Sequence, residues 1–165
     1  MRSPFTETKT ITLEQALTKI RWYCAQSEHC RSEVRTKLYQ YKIDGIDSQA
    51  IEKIINDLVA EDFINEQRYA MAFVKGKFHI KSWGKNKIVQ TLKAKGINDK
   101  CIASAVKNIS TTECRQKLEI LIEKWGKTHH ENNPLQGKQK LLRFLVGKGY
   151  SLDDILPVLN KIYKH

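Results

Sequence analysis

The chain has 165 residues, 41% hydrophobic and 28% charged, with 29 lysines and arginines against 18 acidic residues and a formal net charge of +11. Length and composition fit a globular chain of one to two domains. They exclude a protein held in a bilayer by apolar helices, because runs such as 118–125 are broken every few residues. A positive surplus of this size concerns partners rather than fold, and points to nucleic acid, an anionic membrane face or an acidic protein surface.

Residues 1–11 show no period and read as a mobile N-terminal arm. Met1 to Thr10 hold no apolar core of the signal-peptide kind, so the cytoplasm is the expected compartment. The four cysteines, Cys24, Cys30, Cys101 and Cys114, are then expected as reduced thiols.

The first helix is announced by Thr12-x-x-Gln15, a capping box. Further on, Gly45 precedes Asp47, a good N-cap, and then the stripe Ile51, Ile54, Ile55 and Leu58. That i, i+3, i+4, i+7 spacing buries one face of a helix. Asn65 can cap the next helix. Gly84-Lys85-Asn86-Lys87-Ile88 opens a segment that ends at Lys95-Gly96; Asn98 follows as a cap, with the stripe Ile102, Ala105, Val106 and Ile109. A second capping box, Ser110-x-x-Glu113, starts a longer helix that ends in the polar loop His129-His130-Glu131-Asn132-Asn133-Pro134. Gly137-Lys138-Gln139-Lys140-Leu141 then leads to Lys148-Gly149, the cap Ser151 and the stripe Ile155, Val158, Leu159 and Ile162.

These features repeat. Positions 84, 92 and 96 recur 53 residues later at 137, 145 and 149, the last two stripes keep the same offset, and the first stripe stands 51 residues before the second. In each copy a glycine stands two residues before the cap. Such a glycine can end one helix in the left-handed conformation while the cap oxygen receives the next helix's free amides. The expected fold is therefore all-α: three tandem three-helix, helix-turn-helix-like repeats over residues 12–63, 64–109 and 110–165. One such unit is marginal alone, since four buried side chains per third helix contribute about 6–12 kcal/mol before the entropy of ordering. Stacked units would form an elongated, curved body, by default monomeric, suited to lying along a large partner. Pro157 conflicts with this pattern, and the last helix is expected either to kink there or to begin later.

Charge is polarised along the chain. Between Glu66 and Asp99 there is no acidic residue, while Arg68, Lys75, Lys77, Lys81, Lys85, Lys87, Lys93 and Lys95 fall in the same span. So one-sided a run reads as a phosphate-tracking or acid-seeking surface, with Phe78 and Trp83 interleaved where a base could stack. Trp83 itself reads better as a packing residue stapled to Ile88. Lys138, Lys140 and Arg143 form the equivalent face of the third repeat. No zinc-ligand spacing, Cys-x-x-Cys or phosphate-binding loop stands out, and adjacent acids such as Glu61-Asp62 and Asp153-Asp154 cannot face one another on a helix. Neither catalysis nor a cofactor is expected.

The residues that run from Glu33-Val34-Arg35-Thr36-Lys37-Leu38 through 51–58 and Asn65-Glu66-Gln67-Arg68-Tyr69-Ala70 to Phe73-Val74 resemble the RecX family. So do Gly84-x-x-x-Ile88-x-x-x-Leu92-x-x-Lys95-Gly96-Ile97 and Phe144-Leu145-x-x-Lys148-Gly149-Tyr150. The likeness covers roughly residues 13–162, with departures at Cys30, Val34 and Asn65 that concern capping and packing. It implies a small cytoplasmic regulator of the RecA recombinase that binds the RecA filament on single-stranded DNA. It further implies suppression of ATP hydrolysis, strand exchange and filament growth. On this reading the partner surface comprises Lys75, Lys77, Lys81, Lys85, Lys87, Lys93, Lys95, Lys138, Lys140 and Arg143. The competing reading is a helix-turn-helix-like protein that binds DNA without RecA. Against it stand the acids Glu52, Asp57, Glu61 and Asp62 in or beside the first repeat's third helix.

Overall fold

The structure is a computed structural model that describes residues 10–129 and 133–162. Among these residues it is all helical, with no strand beyond an isolated bridge between Ile11 and Ile43. The helices are α1 (Leu13–Gln26), α2 (Arg31–Gln40), α3 (Ser48–Ala60), α4 (Glu66–Val74), α5 (Lys85–Ala94), α6 (Asp99–Lys107), α7 (Thr111–Thr128), α8 (Pro134–Lys148) and α9 (Leu152–Ile162). A π-helical turn, Lys75–Ile80, follows α4 directly. Of the N-terminal arm, residues 1–9 lie outside the described residues, and Ile11 is held by its bridge and by the Asp44 amide, which donates to its carbonyl at 3.3 Å. His130, Glu131 and Asn132 of the polar loop also lie outside them.

Local chemistry explains where the helices begin. Thr12 and Ser110 each accept from the backbone amide three residues on, at 3.3 and 3.1 Å, and Gln15 and Glu113 reach back to the cap amides. Asp47 receives the Ala50 amide at 2.8 Å, Asn65 the Arg68 amide at 3.0 Å, Asn98 the Lys100 amide at 2.8 Å and Ser151 the Asp154 amide at 3.1 Å. Asn133 caps α8, with Pro134 in the first helical position, where its missing N–H costs nothing.

Helix ends are less uniform than the threefold pattern. Gly149 ends α8 at φ +95° and Gly96 follows the last residues of α5 at φ +79°, as the pattern requires. In the first copy α2 stops at Gln40, and the left-handed residue beside it is Lys42 at φ +48°; Gly45 belongs to a longer turn. That turn carries the bridge to Ile11, an interaction specific to this copy. Pro157 lies inside α9, which begins directly after Ser151, so the helix neither starts late nor stops at the proline.

The chain divides into two compact units, Met1–Tyr69 and Ala70–His165. In the first, α1 packs on α2 and α2 on α3 around Ile20, Val34, Leu38, Ile51, Ile55 and Leu58. In the second, α5 packs on α6, and α7, α8 and α9 enclose Leu118, Leu141, Leu145, Tyr150, Ile155 and Leu159. The predicted stripes are buried in the first copy throughout. Val106 is half-buried in the second, and Ile162, in the last turn of α9, is exposed in the third.

The second unit contains an unusually close backbone crossing. A Cβ placed on Gly84 would stand 2.2 Å from the Gly149 carbonyl oxygen, and one on Gly149 would stand 2.3 Å from the Lys87 Cβ. Gly76, by contrast, has nothing within 4 Å of an added Cβ. Gly84→Ala is therefore expected to destabilise the protein by about 3 kcal/mol, whereas Gly76→Ala stays within about 1 kcal/mol of the parent. Urea denaturation of both variants measures the contrast.

Ion pairs tie the first unit. Arg35 grips Glu52 through two hydrogen bonds, and Arg68 joins Glu28 at 2.9 Å and Asp62 at 2.6 Å. The Arg35 hydrogen bond holds the Glu52 carboxyl below the usual carboxylate range. Asp62 is lowered by Asn65 and then Arg68, and Glu113 by the Ser110 amide and hydroxyl. A carboxylate depressed in the folded state adds stability that is complete above its unfolded pKa and is lost as pH falls through the folded one. The urea midpoint is accordingly expected to hold between about pH 7 and 5 and to fall as pH drops below the ordinary Glu value of 4.5. Glu52→Gln should flatten part of that decline.

Candidate partner-binding surface

All ten expected contact residues fall in the second unit, on the π turn, α5 and α8 or their ends. The π turn is closed by the Lys81 amide, which donates to the Gly76 carbonyl five residues back at 3.2 Å. Such turns disturb the helical register locally and recur at functional sites. Here the turn keeps Phe78 fully buried while His79 and Ile80 stay exposed. Phe78 therefore cannot offer a face to a nucleobase, contrary to the reading of its place in the basic run. The Lys117 ammonium lies 6.0 Å from the Phe78 ring centre and donates to the His79 carbonyl at 2.7 Å.

Trp83 is half-buried, and the contacts it makes are with cations and an aromatic ring. Lys77 places its ammonium 5.1 Å from the Trp83 ring centre and 5.3 Å from that of Phe73, and Lys87 stands 4.6 Å from Trp83. Phe73 meets Trp83 edge-on at 6.3 Å. Lys87 also donates to the Gly147 carbonyl at 3.0 Å. Two of the ten cations are thus drawn into the fold, their stems covering apolar surface.

The start of α5 is not an anion cradle either. The Gly84 amide donates to the Lys148 carbonyl at 2.9 Å and the Asn86 amide to the Gly149 carbonyl at 3.1 Å. Donors that would otherwise be free for a phosphate are taken by the last carbonyls of α8. Lys93 pairs with Asp99 at 3.2 Å, both exposed. Lys75, Lys81, Lys138, Lys140 and Arg143 are exposed, and Lys85 and Lys95 half-buried. Helical periodicity separates them further: Lys140 and Arg143 share a face of α8 that Lys138 does not, and Lys85 and Lys87 diverge around α5. Within each helix, therefore, these cations do not all share one face.

Other candidate chemistry resolves into packing. Cys24, Cys30 and Cys114 are buried free thiols, and burial pushes the Cys24 thiol up to about 11. Tyr69 donates to Glu33 at 2.8 Å, and burial followed by that bond raises its hydroxyl pKa strongly. Among the described residues no cluster of His, Cys, Asp and Glu has metal-binding geometry, and no helix is long and apolar enough to cross a membrane.

Sequence reasoning did not find the groove between α4, the π turn and α6, where Met71 and Ile80 are 51% and 74% exposed. The absence of helical spacing between Met71 and Ile80 hid it. Lys87→Ala is expected to cost about 1–2 kcal/mol, through the lost carbonyl bond and ring contact. Arg143→Ala, at an exposed position, stays within about 0.5 kcal/mol. Thermal unfolding of the pair separates a packing cation from a surface one.

Comparison with known proteins follows the same lines. Residues 65–106 match the second three-helix domain of RecX and residues 113–159 the third. The chain is 33% identical over 134 residues to the regulatory protein RecX of Lactococcus lactis subsp. lactis, covering 79% of this chain and 48% of that protein. It is 32% identical over 135 residues to the regulatory protein RecX of Clostridium acetobutylicum, covering 79% and 61%. The chain thus spans about half to three-fifths of the length of these relatives. The crystal structure of RecX from Lactobacillus salivarius superposes with a TM-score of 0.73 at 24% identity, over 92% of this chain and 97% of that one. A crystal structure of regulatory protein RecX gives 0.77 at 20% identity, over 89% and 71%. These structures share the fold, and with the sequence matches they make the chain a member of the RecX family of regulatory proteins.

Proposed function

We propose that this protein regulates the RecA recombinase by binding the RecA filament on single-stranded DNA, and that it suppresses ATP hydrolysis, strand exchange and filament growth. Family membership carries this reading, since the matches reach both the second and the third three-helix domain. The distribution of charge supports it: the second unit combines an acid-free run with the exposed cations of α8. The protein acts by differential binding, shifting assembly and nucleotide turnover toward the state it binds better, with no chemistry of its own. It works in the cytoplasm as a monomer.

The exposed cations make the cleanest probe, because Lys77 and Lys87 serve the fold. Lys138, Lys140 and Arg143 changed together to Glu should abolish inhibition of single-stranded-DNA-dependent ATP hydrolysis by the cognate RecA, with the circular dichroism spectrum unchanged. Full inhibition by the triple variant would remove α8 from the contact surface. No inhibition by the folded parent would sink the proposal. If about four cations meet single-strand phosphates, the log–log dependence of affinity on salt has a slope of about −3. Sequence-specific duplex affinity without RecA would point instead to direct DNA binding.

A further inference from the structure

The second unit contains an apolar groove that its own core leaves open. It measures about 460 Å³ and is lined by Met71, Val74, Lys75, His79, Ile80 and Ala105, with Asn108 at one end. Val74 and Ala105 are its buried part at 5% and 6% exposure, while Met71 and Ile80 line it at 51% and 74%. An exposed methionine in the lining of a groove adapts readily to apolar side chains of different shape. Ile80 owes its exposure to the π turn, which turns Phe78 inward and leaves the residues after it facing out.

The rim decides what such a groove takes. Lys75 lines it, Lys81 follows Ile80 in the chain, and Lys117 reaches the His79 carbonyl. Of the acids near in the chain, Asp99 pairs with Lys93 and Glu113 is held by the Ser110 amide and hydroxyl at 2.9 and 3.0 Å, its charge facing His79 and Lys117, so that the lysines outnumber it at the rim. An apolar floor with a cationic rim complements a segment that is apolar along one edge and acidic beside it. Nucleic acid fits poorly, because the apolar lining of Met71, Val74, Ile80 and Ala105 offers no broad aromatic face on which a base could stack.

We propose that this groove docks a short amphipathic, acidic segment of a partner protein, in the helix-in-groove manner, with apolar side chains against Met71, Val74 and Ile80 and carboxylates against Lys75 and Lys81. The inference rests on the filament-regulator reading only for the identity of the protein that carries the segment. It separates two surfaces on one unit, an apolar and cationic groove for protein and scattered exposed cations elsewhere for phosphate.

The test is fluorescence anisotropy of the full chain with a labelled synthetic helix, glutamate-rich with leucines at i, i+3, i+4 and i+7. A lysine-rich version of the same helix is the control. The acidic helix should bind saturably and the lysine-rich one should not. Ile80→Asp and Lys75→Glu should each weaken binding about tenfold or more. Leu156→Asp, on the exposed side of α9, should leave it unchanged; circular dichroism checks that each variant is folded. Absence of saturable binding by the parent, or equal binding by Ile80→Asp, overturns the inference. So does binding to phosphatidylglycerol vesicles through Ile80 in place of the peptide. Co-sedimentation with RecA on poly(dT) is read separately. A parent that binds the acidic helix and ignores RecA keeps the groove and refutes the filament reading.

Discussion

The approach of Gly84 to Gly149 sets how α5 meets α8 in the second unit. The two backbones lie so close that neither position has room for a Cβ. That closeness lets the last carbonyls of α8 receive the first amides of α5, joining the negative end of one helix to the positive end of another. The same crossing brings Lys87 to the Gly147 carbonyl and sets the Tyr150 hydroxyl 3.3 Å from the Ser82 carbonyl, to which it donates. Trp83, one residue before the crossing, is then held by Phe73 and the ammonium groups of Lys77 and Lys87. Loss of either glycine would disturb the relation between helices from two successive repeats.

This arrangement divides the cations by task. Lys77 and Lys87 spend their charge on an indole ring, and Lys117 on a backbone carbonyl. Arg143 on α8 and Lys75 and Lys81 around the π turn stand at exposed positions, where charge can steer an anionic partner and respond to salt. A net charge of +11 is therefore not a measure of the charge available for binding.

The three repeats, their caps and their apolar stripes were legible because each depends on neighbours within one or two turns. Thr12 with Gln15 and Ser110 with Glu113 are contacts over three residues, and Ile51, Ile54, Ile55 and Leu58 share a face by helical period alone. Legibility failed where a copy acquired a contact of its own. α2 ends at Gln40 rather than near Gly45, because the following turn is tied to Ile11. Phe78 looked available for stacking because nothing in its neighbours announces a π turn.

What the sequence determined by itself is the all-helical repeat, the family and the sign of the charge, since periodicity, caps and composition are local or additive properties. The tertiary structure alone decided which lysines remain at the surface, that α8 caps α5, and that Met71 and Ile80 line a groove. These features join residues as far apart as Lys87 and Gly147, 60 positions away in the chain. Such meetings depend on the angle and distance at which whole helices cross, and crossing geometry is set by the shape of both packed surfaces together.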